Sequence, residues 1–345
     1  MAKSVFSSME RFSTKFEDIE NDGATVEAEV SVDVSVADGE AEATEIAETV
    51  AESEQVIEAV DEGENTAETL RFYADIVRKH GASPAFLAVI DADKGLSNLS
   101  GIVLPSSESL DATGRNQSTA EQIIQACEAA EKSVWERVKT FFKKLWENLR
   151  ALGRFILNKF SSWETAVKRA HDSIKDITLD PEKLGKSHSI IDPEKIKSAC
   201  IAFSMVMQNG EADEAQLKNL GMKKEDGVVS SDSSAEFLKA TDEKVSTGLH
   251  DALKVSTWTE VKKLFESKAK IQQAIRDGEN ACKDAIAQAD RAAKMNDDDK
   301  IEEVKKSNDE KKKKLRGLTK ALSAVGKIAG AYIKDCAAVR ACKKD

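Results

Sequence analysis

Proline and glycine are scarce in this 345-residue sequence, with 4 and 17 residues, and aromatic residues amount to 12 Phe, 4 Trp and 2 Tyr. So little turn-forming and aromatic material argues against a β-rich chain, and the low glycine content excludes a collagen-like one. Five cysteines in a chain of this length do not make a disulfide scaffold, and they are expected as reduced thiols. No apolar run reaches the roughly 18–20 residues of a membrane span. The opening MAKSVFSSMERFSTKFEDIE has no apolar stretch of signal-peptide length, so a cytoplasmic origin is expected.

Catalytic signatures are also missing. His80, His171, His188 and His250 are scattered, with no ligand set beside any of them and no H-E-x-x-H. The sequence holds no P-loop, no dinucleotide glycine pattern and no nucleophile elbow. Cys336 and Cys342 have neither zinc nor redox spacing, and Cys127, Cys200 and Cys282 fall on predicted helices, where buried structural thiols are expected. Acidic pairs are too common here to mark a general acid or base. No catalytic, cofactor-binding or metal-binding residue is assigned, and a non-enzyme is expected.

Charge is abundant but unevenly placed. The whole chain carries 51 Lys/Arg against 62 Asp/Glu, net −11. Residues 1–108 hold 7 basic and 24 acidic residues, net −17, which leaves 44 basic and 38 acidic residues, net +6, in 109–345. Residues 16–70 contain 19 acidic residues and no Lys or Arg. Such a block repels itself and is expected to stay extended or to fray as a solvated acidic tail. Within it, Val30, Val32, Val34 and Val36 alternate with polar residues like a strand, whereas Glu42 to Val60 reads as a marginal helix.

The remaining punctuation predicts a mainly α fold: a helical bundle preceded by an acidic, largely disordered N-terminal segment and a small α(+β) unit. The segment covers 1–64 and the small unit 65–108. Asn65 and Glu68 signal the start of a helix in that unit, His80-Gly81 its end, and Ile102–Leu104 a short strand. A polar linker occupies 109–117, and the helical domain spans 118–345, opened by Ser118 and Glu121. Asp180-Pro181 and Asp192-Pro193 repeat one helix-start signal, and Ile196, Cys200, Ile201 and Met205 are expected on the apolar face of the second helix. Ser233 with Glu236 signals another start. KIEEVKKSNDEKKKKLRG (301–317 with its flanking Lys300) is charged enough to predict a solvated arm.

The most informative element is the helix predicted over 131–163. Val134, Val138, Phe141, Leu145, Leu149, Leu152, Ile156 and Phe160 step by three or four, and Trp135, Phe142 and Trp146 widen the stripe. Seven aromatic residues lie on these 33 positions, with eight Lys/Arg against three Glu, and Gly153 is a candidate bend. The plain use of such a stripe is as the core of the helical domain. A second use is binding at a membrane surface, with Trp135 and Trp146 at the headgroup boundary. A third is contact with nucleic-acid phosphates through Lys132, Arg137, Lys139, Lys143, Lys144, Arg150 and Arg154.

The order of segments, an acidic Glu/Ala/Val stretch, a short helix followed by H-G-A-S, then a basic F-F-K-K-L-W-E-N-L helix, resembles the internal head (inner-body) proteins of large, phiKZ-like tailed bacteriophages over residues 4–175. The resemblance implies a virion protein synthesised in the host cytoplasm and located inside the phage head. Its partners would be other capsid and internal head proteins, a prohead protease and packaged DNA. It further implies an acidic propeptide cut after a small residue, any residue, then Glu. Ser106-Ser107-Glu108 matches that pattern in the linker and at the charge boundary, and Ser8-Met9-Glu10 and Ala43-Thr44-Glu45 match it too. Three further matches, ending at Glu128, Glu131 and Glu164, fall on predicted helices. The competing expectation is a membrane-active protein acting through 131–163.

Overall fold

The computed structural model describes residues 36–83, 85–86, 117–209, 217–225, 228–231, 238–294 and 298–344. In chain order these form α1 (Val36–His80), α2 (Gln117–Lys175), a 3₁₀ turn (Lys183–Gly185), β1 (Ser187–Ile190), α3 (Pro193–Asn209), β2 (Met222–Glu225), β3 (Val228–Ser231), β4 (Thr241–Lys244), α4 (Thr247–Ala252), a π turn (Leu253–Thr257), α5 (Trp258–Glu266), α6 (Lys268–Ala292) and α7 (Asp298–Ala341). The expected mainly helical class is the one adopted. The sheet content among the described residues is two antiparallel ribbons, β1 with β4 and β2 with β3. Ser106, Ser107 and Glu108, the Val30–Val34 part of the alternation, the Ile102–Leu104 strand and the Ser233–Glu236 start signal lie outside the described residues.

Residues 41–345 make one unit, organised around α2. This helix runs 59 residues without interruption, roughly 90 Å at 1.5 Å per residue. Most of its predicted stripe is the core: Val134, Val138, Leu145, Leu149, Leu152, Ile156 and Phe160 are buried with Phe142, Phe141 is half-buried at the edge, and the stripe continues through Val167 and Ile174. Helix α6 lies against it with a face of small residues, Gly278, Cys282, Ala285 and Ala289. Gly278 is where three helices close in. A Cβ there would stand 2.7 Å from Leu149 of α2 and 2.8 Å from Leu318 of α7. Gly153, the candidate bend, lies inside continuous helix and serves another purpose, because its bare face accepts Ile275 of α6 at 3.0–3.4 Å from a would-be Cβ.

Helix α1 corrects the reading of the acidic block. It is a continuous helix of 45 residues, so the boundary drawn at 64/65 falls within it and Asn65–Glu68 starts nothing. From Ile46 onward it is no solvated tail: Ile46, Val50, Val56, Ile57, Val60, Ala67, Leu70, Tyr73, Ala74 and Val77 are buried in the common core. Each large apolar side chain so buried contributes roughly 1.5–3 kcal/mol, which outweighs the mutual repulsion of carboxylates pointing elsewhere. Gly63 allows the close approach to α2, its would-be Cβ lying 2.8 Å from Val138. The helix ends where the sequence signals, with Gly81 at φ +75° and its N–H on the Val77 carbonyl at 2.9 Å.

Three later expectations also change. The charged stretch before residue 317 is not a solvated arm, since Asn308, Lys312, Leu315 and Arg316 are buried within α7. Asp180 accepts the Glu182 N–H as its repeat Asp192 accepts that of Glu194, yet the first signal yields only the 3₁₀ turn, which stops at Gly185, while the second opens α3. On α3 the buried face is Ile196, Ala199, Cys200, Phe203 and Val206, with Ile201 and Met205 exposed. The last residues are tied back: Asp180 N–H donates to the Cys342 carbonyl at 2.8 Å and Lys344 N–H to that of Thr178 at 2.9 Å.

Candidate functional site

The cations and tryptophans singled out on α2 separate into three groups. Trp135 is 1% exposed and belongs to the core, so it offers nothing to a headgroup boundary. Lys139 and Lys144 are committed to carboxylates. Lys139 donates to Asp290 of α6 at 2.8 Å and to Glu136 at 3.3 Å, and Lys144 pairs with Glu52 of α1 at 2.6 Å. Hydrogen bonds from Lys139, then Lys294, hold the Asp290 carboxyl down at about 2. Lys132, Arg137, Lys143, Arg150 and Arg154 are exposed. Trp146 is half-buried, with Arg150 at 5.9 Å and Lys283 of α6 at 5.6 Å from its ring centroid. Among the described residues, no helix is long and apolar enough to cross a membrane.

The principal electrostatic arrangement involves cations that the sequence reading did not select. Carboxylates of α1 meet basic residues of α7 at successive levels: Glu54 with Lys320, Asp61 with Lys312 and with Arg316 at 3.8 Å, Glu64 with Lys312 at 2.6 Å, and Glu68 with Lys305. On the side facing α2 the signs alternate, with Glu52 on Lys144, Arg71 on Glu131 and Arg78 on Glu128. The acidic helix therefore neutralises a basic face of its own chain.

Asp61, Glu64 and Asp309 place oxygens within 4.8 Å of one another, the one such group of possible metal ligands among the described residues. A tethered cation already sits there: the Lys312 ammonium, 2.6 Å from Glu64 and 2.7 Å from Asp309. Burial opposes charge on Lys312, but attraction to Glu64 and hydrogen bonds to Asp309, Asp61 and Glu64 overcome it and raise its pKa. Burial raises the Glu64 carboxyl, with Lys312 and Asn308 opposing.

Other polar groups are structural in their surroundings. Tyr332 donates to the Leu253 carbonyl at the π turn (3.0 Å), which leaves its oxygen to accept from His171 Nδ1 at 3.0 Å. The His171 ring stacks on Trp258 at 4.0 Å, and burial lowers its pKa. All five cysteines are free and buried, and burial pushes Cys127 up to about 11 and Cys282 and Cys336 up to about 12, away from thiolate reactivity. Cys342 Sγ lies 3.4 Å from His188 Nε2, a pairing not visible in spacing, and its pKa too is raised by burial.

A shallow groove of about 180 Å³ runs between α2 and α6. Arg150 and Arg154 border it from α2 and Arg276 from α6, with Gln272 and Glu279 beside them. None of these three arginines has an ion-pair partner among the described residues. Arg276 was missed because it sits alone in an acidic and neutral stretch, QQAIRDGEN, and only the packing of α6 on α2 brings it to the other two.

The family model of the phiKZ-like phage internal head proteins matches residues 20–254. No curated protein and no solved structure matches the chain.

Proposed function

Because the chain belongs to the phiKZ-like phage internal head proteins, we propose that it enters the procapsid as a precursor, is trimmed at its acidic end by the prohead protease, and remains beside the packaged DNA as a helical, non-enzymatic virion component. The family match is the observation that carries this. It spans 235 of the 345 residues and takes in all but the first four residues of the acidic block, and all of α1 and α2. A structural role inside the phage head, among other capsid components, is what the family has in common.

The packing of α1 separates two products of trimming. A cut after Glu108 would sever α1 from α2 in sequence, but α1 would leave only if its apolar contacts and ion pairs were lost together. A cut after Glu45, the end of the Ala43-Thr44-Glu45 match, would fall immediately before Ile46, the first of the described side chains of α1 and a buried one. It would remove 12 acidic and 3 basic residues, net −9, and leave net −2. The cut after Glu45 brings the body close to neutrality at once, whereas the cut after Glu108 leaves net +6 only where α1 departs; a smaller negative charge favours coexistence with polyphosphate.

N-terminal sequencing of the protein from purified particles, with peptide mapping, tests the reading. A start at Ile46 or Ser109 supports it. An unprocessed N-terminus, with peptides before residue 46 as abundant as those of α2, rejects it.

A further inference from the structure

We infer that the groove between α2 and α6 is a phosphate-binding site for the backbone of duplex DNA, held by Arg150, Arg154 and Arg276. The inference rests on the head-interior role proposed above and adds the surface and residues that would meet the genome.

What singles out this groove is the convergence of its cations. Lys139, Lys144, Lys305, Lys312, Arg316 and Lys320 are neutralised by carboxylates of the same chain. Arg150, Arg154 and Arg276 are exposed, converge from two helices, and have no such partner among the described residues. Three guanidinium groups border the groove against one carboxylate, Glu279, which pairs with none of them, so they repel one another and an oxyanion between them relieves that repulsion. Arginine is the side chain suited to this, because its planar fork binds phosphate oxygens in pairs.

The framework beneath the three is a pair of closely packed helices. Arg150 and Arg154 are one turn apart on α2, about 6 Å along the axis, and Gly153 between them lets Ile275 seat α6 closely enough to bring Arg276 into the same groove. Trp146 extends the strip by one turn, carrying Arg150 and Lys283 near its ring and limiting their freedom. Glu279 is the carboxylate lining the groove, and it pairs with none of the three arginines. A lipid surface is a poorer fit, because the apolar stripe of α2 that would anchor in headgroups is turned into the core. Nothing in the groove reads bases, so binding is expected to be independent of sequence.

The test uses the full chain and a short labelled duplex, with affinity followed against sodium chloride concentration. The variant Arg150→Gln/Arg154→Gln/Arg276→Gln should bind more than about tenfold more weakly and reduce the slope of log affinity against log salt by roughly 2–3. Glu279→Gln should tighten binding. A control removing the same charge from exposed but paired lysines, Lys168→Gln/Lys263→Gln/Lys294→Gln, should stay close to wild type. The inference is overturned if both triple variants weaken binding equally, if the wild-type chain binds no duplex at low salt, or if the arginines govern flotation with phosphatidylglycerol vesicles and not DNA binding. Processing in particles is read independently by N-terminal sequencing, so either proposal can fail alone.

Discussion

Glu64 of α1 and Lys312 of α7 form an ion pair at 2.6 Å with side chains 0% and 4% exposed, although 248 residues separate them in sequence. Asn308 completes the site by donating to the other Glu64 oxygen at 2.7 Å. The most acidic part of the chain is thereby bound to one of its most basic parts, inside the protein. A block that would repel itself in isolation becomes ordered because its apolar side enters the core and its carboxylates find fixed cations.

Removing one member of that pair is expected to cost far more than removing both. Lys312→Met leaves Glu64 buried without its cation and should destabilise the fold by about 3–5 kcal/mol. Lys312→Met/Glu64→Gln leaves no buried charge at that position and should recover a substantial part of the loss. Urea unfolding of the single and double variants measures the coupling. If the two single effects simply add in the double variant, the pair is not an interacting unit.

The glycines of the bundle should divide by the space around them. Gly278→Ala drives a methyl group against Leu149 and Leu318 and is expected to cost about 1–3 kcal/mol through displaced helices. Gly330→Ala on α7 meets nothing within 4 Å and should be neutral or stabilising by up to about 1 kcal/mol. Thermal unfolding of both variants against wild type is sufficient, and equal effects would mean that the three-helix junction yields more easily than its geometry suggests.

Severing the chain between α1 and α2 should not free α1. In a chain carrying a site-specific protease sequence in place of residues 106–108, cleavage is expected to yield two pieces that co-elute from gel filtration and separate only in denaturant. The ten apolar residues of α1 that are buried among the described ones, together with Glu64 and its partners, account for the retention. Prompt loss of the smaller piece in buffer would show that these contacts hold α1 only while it is covalently attached.

Much of this fold is legible along the chain, and the exceptions share a cause. The stripe of α2 could be read because burial of one helical face repeats every three to four residues, and the end of α1 could be read because Gly81 carries a local backbone requirement. The acidic block and the KKSNDEKKKKLRG stretch each carry too much charge of one sign to bury alone, so each in isolation predicts a solvated segment. Their charges are complementary, and that was the available signal for a pairing between Asp61 or Glu64 and Lys312. The same limit applies at the groove: Arg150 and Arg154 share one helix and could be singled out together, whereas Arg276 joins them only through tertiary packing. Cys342 beside His188 depends likewise on the return of the last residues to the segment after α2.

Asp335 should give the fold a measurable pH dependence. It is 0% exposed, accepts the Ile191 N–H at 2.8 Å with one oxygen, and leaves the other buried without a partner. Burial pushes its carboxyl up to about 7, with the Ile191 hydrogen bond and Lys334 opposing and Asp192 and Glu243 reinforcing. The folded pKa lies above the unfolded one, so the stability linked to this group is fully present below about pH 4 and is lost as pH rises towards 7, by an amount on the order of 4 kcal/mol. Asp335→Asn keeps an acceptor for Ile191 and cannot ionise. Denaturant unfolding at pH 5 and pH 8 should therefore show a larger loss of stability for wild type than for the variant. Parallel pH profiles would mean that Asp335 ionises in the fold as readily as it does in water, and that water or a shift of the β1–α3 junction reaches its second oxygen.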